Sequence, residues 1–123
     1  MVIDSTLFIE HLRAKEKSAT TLSQLPDTAT LCLSTVTLYE LYMGATTGQK
    51  RRDIEILTGE LKVLPFDEEA SLEAAKIYHQ LRLQGMMIEF RDIFIAATAI
   101  VNNQELKLLN KKHFERIENL TLA

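Results

Sequence analysis

The sequence predicts an α/β protein of three layers, α/β/α, in which a central, mainly parallel sheet of four to five strands lies between helices. Two observations lead there. Short apolar runs bounded by turn-forming residues alternate with longer segments of helical periodicity along the whole chain, which is the pattern of parallel strands joined by crossover helices. The segment Ile93–Val101 is apolar or small at almost every position and leaves no polar stripe at a period of about 3.6 residues, so it reads as a buried helix. Its alanines, Ala96, Ala97 and Ala99, let neighbouring backbones come close.

At 123 residues the chain is expected to be one domain, 1–123, able to bury roughly two thirds of its unfolded surface. Only 4 Gly and 2 Pro leave little material for linkers. The single Cys32 cannot close an internal disulfide and fits a reducing compartment. No signal peptide or membrane-length apolar run is visible, so a cytoplasmic protein is expected. A formal net charge of −3 gives no global attraction to nucleic acid, and any polyanion must be met by local basic patches.

Met1–Ile3 is the first strand candidate, followed by Ser5 and Thr6 as a cap and a helix over Leu7–Leu12. A short helix is expected over Thr20–Leu25, broken by Pro26-Asp27. Thr30–Leu33 is the second strand, and Ser34 or Thr35 caps a helix over Val36–Ala45 that Gly44 and Gly48 end. Lys50 opens a helix to about Glu60, and Lys62–Pro65 is the third strand. Asp67 starts the longest amphipathic helix, with Ala70, Ala74, Ile77, Tyr78 and Leu81 on one face and Gly85 just past its end. After the buried helix come a fourth strand at Leu106–Leu109 and a short fifth near Leu120–Leu122.

Three acids fall at strand-to-helix junctions. Asp4 closes the first strand, Glu40 lies about one turn into the helix after the second, and Asp92 opens the helix that feeds the fourth. In an open parallel sheet all three belong to the carboxyl edge of the strands, where ligands bind. Carboxylates gathered there repel one another unless a cation holds them, and Mg²⁺ suits one or two carboxylates with waters and phosphate oxygens. Each acid also has an innocent reading. Asp4 and Asp92 would serve as helix N-caps, and Thr37 with Glu40 has the spacing of a capping box. No other chemistry competes: Cys32 has no neighbouring His, His11, His79 and His113 lack zinc spacing and read as surface or edge residues, and no glycine-rich phosphate loop is present.

The stretches Val2-Ile3-Asp4-Ser5-Thr6, Ser34–Gly44 and Ile88–Ala99, with Leu108–Ile117 at the end, resemble the PIN domain, specifically the VapC-type toxin ribonucleases of type II toxin–antitoxin systems. The likeness runs from end to end in the family's order. It implies a PIN-like fold and an endoribonuclease dependent on Mg²⁺ or Mn²⁺, with Asp4, Glu40 and Asp92 as catalytic metal ligands. Thr6 falls on a small hydroxyl position, and the fourth site, often Asp, is Asn110 here. Leu108 stands where Thr is common. It also implies an RNA substrate, a VapB-type antitoxin partner and a homodimer. RNA would be gripped by Lys50-Arg51-Arg52 and Lys111-Lys112, with Arg13, Lys15 and Lys17 as a third group. Leu38–Met43 carries more large apolar residues than one core stripe needs, which suits an antitoxin groove or a dimer contact. A catalytically silent PIN-like module that binds RNA or protein is the alternative, favoured by Asn110 and opposed by the three acids. A haloacid-dehalogenase-type site would want Asp where Thr6 stands, and a receiver-type site would want paired acids after the first strand.

Overall fold

The strands are only two or three residues long, yet they set the whole topology. The computed structural model describes residues 1–123. In chain order it contains β1 (Val2–Ile3), α1 (Ser5–Arg13), β2 (Cys32–Ser34), α2 (Thr35–Met43), α3 (Gly48–Thr58), β3 (Lys62–Leu64), α4 (Glu68–Leu83), α5 (Phe90–Val101) and β4 (Leu106–Lys107), with 3₁₀ turns at Lys17–Ala19 and Phe114–Arg116. The sheet has the order β3-β2-β1-β4 with every neighbour parallel. Val2 is in register with both Cys32 and Leu106, and Leu33 with Val63.

Alternation along the strands divides the core. Val2, Cys32, Leu64 and Leu106 point to the face covered by α4 and α5, where Ile77, Leu81, Ile93, Ile95 and Ala96 pack. Ile3 and Leu33 point to the other face, onto Leu7, Phe8, Leu41 and Ile54 of α1, α2 and α3. The predicted three layers are therefore present. In α5, Ile95, Ala96, Ala97, Thr98 and Ala99 are all fully buried, as its uniform apolarity requires. Thr98 tolerates this because its hydroxyl donates to Phe94 O at 2.8 Å within the helix.

Several local expectations need correction. Asp4, and not Ser5 or Thr6, is the N-cap of α1, accepting from Thr6 N at 3.1 Å. No helix forms over Thr20–Leu25, which is a run of turns. The hydroxyls of Thr20 and Ser23 both donate to Lys17 O, at 3.0 and 2.5 Å, and so fold the backbone back on the preceding turn. Gly48 opens α3 behind the Thr47 cap and does not end α2. The Leu120–Leu122 strand is reduced to a single bridge from Leu122 to Leu106, so the sheet has four strands. The caps at Ser34 and Asp67 are as expected, and Gly85 adopts the left-handed conformation (φ +65°) that ends α4. No helix is long and apolar enough to cross a membrane.

Candidate active site

The chain runs β1, β2, β3 outward in one direction and then returns to place β4 on the other side of β1. The order reverses between β1 and β4, which makes the carboxyl end of β1 the crevice where an α/β sheet binds ligands. Asp4 stands at that point, directly after β1, and is 5 % exposed. α2 starts at the carboxyl end of β2 and carries Glu40 as its sixth residue. α5 runs back to feed β4, so its first turn, with Asp92, lies at the same edge.

The local chemistry of each acid separates capping from other roles. Asp4 is a cap, but its Oδ2 also accepts the Thr6 hydroxyl at 2.7 Å. Thr6 Oγ1 in turn accepts from Leu109 N at 3.3 Å, so one hydroxyl ties the first acid to the segment after β4. Glu40 belongs to no capping box. Ser34 caps α2 by accepting from Thr37 N at 3.0 Å, and Thr37 is buried inside the helix. Asp92 is not a cap either. Glu89 holds that position, and Asp92 N donates to Glu89 O at 3.1 Å. Two of the three innocent explanations thus fail on geometry.

The acids feel one another. The Glu40 carboxyl is pushed above the usual carboxylate range, first by burial, with the nearby Asp4, Asp92 and Glu89 adding to it and Arg91 opposing. Asp92 is pushed up by burial and then by Asp4 and Glu89, against Arg91 and His113. Arg91 Nη1 lies 3.1 Å from Glu40 Oε2 and its Nε 3.0 Å from Glu89 Oε2. Glu40 Oε1 is buried with no hydrogen-bond partner. No three His, Cys, Asp or Glu side chains stand together as a closed coordination cluster, and Glu40 is paired with Arg91.

These donors fit a hard divalent cation. All are carboxylate oxygens, one buried oxygen lacks a partner, and the carboxyls, whose pKa values are raised first by burial and then by their acidic neighbours, carry charge that a cation would offset. A pH dependence follows for the metal-free protein. A carboxyl whose folded pKa is raised contributes stability that is fully present below its unfolded value, about 4. That contribution is lost as pH rises through the folded value. Melting temperatures in chelator, measured upward from about pH 4, should therefore shift in favour of Asp92→Asn relative to wild type as pH rises. A gap that stays constant or moves the other way would remove Asp92 from the strained cluster.

The other sequence candidates are distributed unevenly. Lys50 and Arg13 share with Glu40, but not with Asp4 or Asp92, a cavity of about 270 Å³ floored by Ile9, Leu12, Leu41 and Ile54. Arg51 leans on Ala45 O at 3.5 Å, and Arg52 is exposed on the same helix. Lys112 is exposed and Lys111 partly buried after β4. Lys15 is exposed, whereas Lys17 is committed to the end of α1, donating to His11 O and Leu12 O at 2.5 and 2.8 Å. Asn110 is exposed, and its Oδ1 accepts from Lys112 N at 3.4 Å. His79 and His113 are exposed as expected, but His11 is half-buried against Thr20 Oγ1 at 2.7 Å, with its pKa lowered by burial and by Lys17. Cys32 is buried, and burial pushes its thiol up, away from reactivity. Sequence reasoning passed over Arg91 and Glu89. Their signal was a cation set between two acids, Glu89-Phe90-Arg91-Asp92, at the mouth of the buried helix.

Comparison with known proteins agrees with this architecture. The PIN domain family model matches residues 1–120. Ribonuclease VapC1 of Haemophilus influenzae strain R2866 is 33% identical over 124 residues, covering 97% of this chain and 92% of the relative. Ribonuclease VapC1 of Methanocaldococcus jannaschii is 29% identical over 122 residues, covering 99% and 84%. Among solved structures, VapBC-1 from nontypeable Haemophilus influenzae matches at a TM-score of 0.84 and 32% identity, covering 99% of this chain and 95% of that one. VapBC2 from Rickettsia felis, bound to a DNA fragment from its promoter, shares the fold at a TM-score of 0.89 and 24% identity, covering 99% and 96%. A parallel β3-β2-β1-β4 sheet with three acids at its carboxyl edge, matched along nearly its full length in sequence and in structure, places this chain in the PIN-domain family, among the VapC proteins.

Proposed function

We propose that the protein is an endoribonuclease dependent on Mg²⁺ or Mn²⁺, the toxin of a toxin–antitoxin pair, restrained by a VapB-type antitoxin. One observation supports the reading: Asp4, Glu40 and Asp92, carried by three separate elements at the switch point of the sheet, lie near enough for their charges to act on one another, and a buried oxygen of Glu40 has no partner. Asp4, Glu40 and Asp92 hold the cation. When bound, it offsets charge developing on the scissile phosphate and lowers the pKa of the attacking water. Thr6 is a positioning residue that fixes Asp4 through its hydroxyl. Asn110, bonded to its own loop, adds no charge to the cluster.

RNA approaches over Lys50 and Arg13, which share a cavity with Glu40, flanked by Arg51, Arg52, Lys111 and Lys112. Such contacts make affinity fall with salt. The apolar surplus of α2 is real: Tyr39 and Met43 are 65% and 61% exposed. This surface suits an antitoxin segment or a second copy of the chain in a homodimer. The test is cleavage of a mixed RNA substrate by the purified chain. Cutting is expected with Mg²⁺ or Mn²⁺, none in chelator, and restoration when the cation is added back. Cleavage indifferent to chelator would overturn the metal-dependent reading.

A further inference from the structure

Arg91 makes the one ion pair with the three-acid cluster, and its two partners are unlike. The Glu40 side chain is 11% exposed, whereas Glu89 is 68% exposed at the pocket mouth. A guanidinium forked between an inner and an outer carboxylate can release the inner one and keep the outer. The inner carboxylate is only half satisfied, since Oε1 has no partner. Arg91 itself is half exposed, so water can reach the guanidinium when it leaves Glu40.

We propose that Arg91 is a displaceable counter-cation of the acid pocket: it occupies Glu40 when no divalent cation is held, competes with that cation for Oε2, and once released presents its guanidinium to a substrate phosphate while Glu89 tethers it at the mouth. The proposal rests on the metal-dependent nuclease reading. Its two halves have separate physical grounds. A fixed positive charge beside a cation site opposes binding of a second positive charge. A planar guanidinium matches phosphate oxygens in a way that a neutral amide does not. The two effects have opposite signs on substitution, which a merely structural role would not produce.

The experiment is Mn²⁺ titration by calorimetry on the full chain, comparing wild type, Arg91→Gln, Arg91→Lys and Asp92→Asn, with RNA cleavage kinetics in parallel. Arg91→Gln should bind Mn²⁺ more tightly, on the order of tenfold, while KM for RNA rises. Arg91→Lys keeps the charge without the fork, so its gain in Mn²⁺ affinity should be smaller. Unchanged or weaker Mn²⁺ binding by Arg91→Gln, alongside a clear loss in Asp92→Asn, would overturn the role of Arg91 and leave the nuclease reading standing. Tighter Mn²⁺ binding with an unchanged KM would overturn the phosphate contact. Mn²⁺ binding that ignores Asp92→Asn would remove the acids from the metal site, and both readings would fall together.

Discussion

Replacing Asp92 with Asn is expected to lower RNA cleavage by about 10²–10³-fold, the usual effect of removing one electrostatic partner from a catalytic site. The fold should survive. Asp92 is the third residue of α5, its side chain makes no capping bond, and the cap position belongs to Glu89. Two small effects on stability oppose each other. The variant loses a favourable charge at a helix N-terminus, about 0.3–1 kcal/mol, and it removes a charge that is penalised first by burial and then by Asp4 and Glu89. The metal-free variant should therefore melt no lower than wild type at neutral pH, in line with the pH trend expected for a raised carboxyl pKa. Added Mn²⁺ should raise the melting temperature of wild type and do much less for the variant, because only a native site with its ligands intact gains from binding. A folded Asp92→Asn protein that cuts RNA at the wild-type rate would end the catalytic assignment of this acid.

Phe8→Ala should be the most damaging single substitution in the layer that carries Asp4. Phe8 heads the fully buried side chains by volume, and it packs with Ile3, Leu7, Leu33 and Leu41 beneath α1 and α2. Truncating such a residue costs about 3–5 kcal/mol, through lost transfer energy and the cavity left behind. Against a total stability of roughly 5–15 kcal/mol for a domain this is a large fraction. Urea unfolding should show a lower midpoint with an unchanged slope. A loss below about 1 kcal/mol would mean that the site relaxes to fill the space and that the α1–α2–α3 layer is loosely packed.

Much of the fold was legible because its cues are local. Asp67 caps α4, Ser34 caps α2 and Gly85 ends α4 because each satisfies backbone groups within a few residues of itself. The burial of α5 could be read directly from Ile93–Val101, since a helix without a polar face has nowhere to go except the interior. The acids were legible as a set for a related reason: in a parallel sheet, every strand-to-helix junction lies at the same edge.

Where reading the sequence failed, the deciding contacts were between segments, or between competing local bonds of similar strength. Thr20 and Ser23 have helical neighbours, but their hydroxyls bond back to Lys17 O and the helix is lost. Leu120–Leu122 had strand composition, yet the pairing is a single bridge at Leu122, held by hydrogen bonds from Leu106 N to Thr121 O and from Ala123 N to Leu106 O, beside a strand of only two residues. Asp92 looked like a cap until the fold set the start of α5 at Phe90, behind Glu89.

The sequence by itself determined the alternation of elements, the buried helix and the placement of Asp4, Glu40 and Asp92 at one edge of the sheet, since these follow from periodicity, capping and junction position. The tertiary structure alone decided that Arg91 pairs with Glu40, that Thr6 links Asp4 to Leu109, and that Lys50 and Arg13 line one cavity with Glu40. Those relations join residues from 2 to 103 positions apart. Most of them depend on how strands and helices come to rest against one another, a geometry that no local pattern encodes.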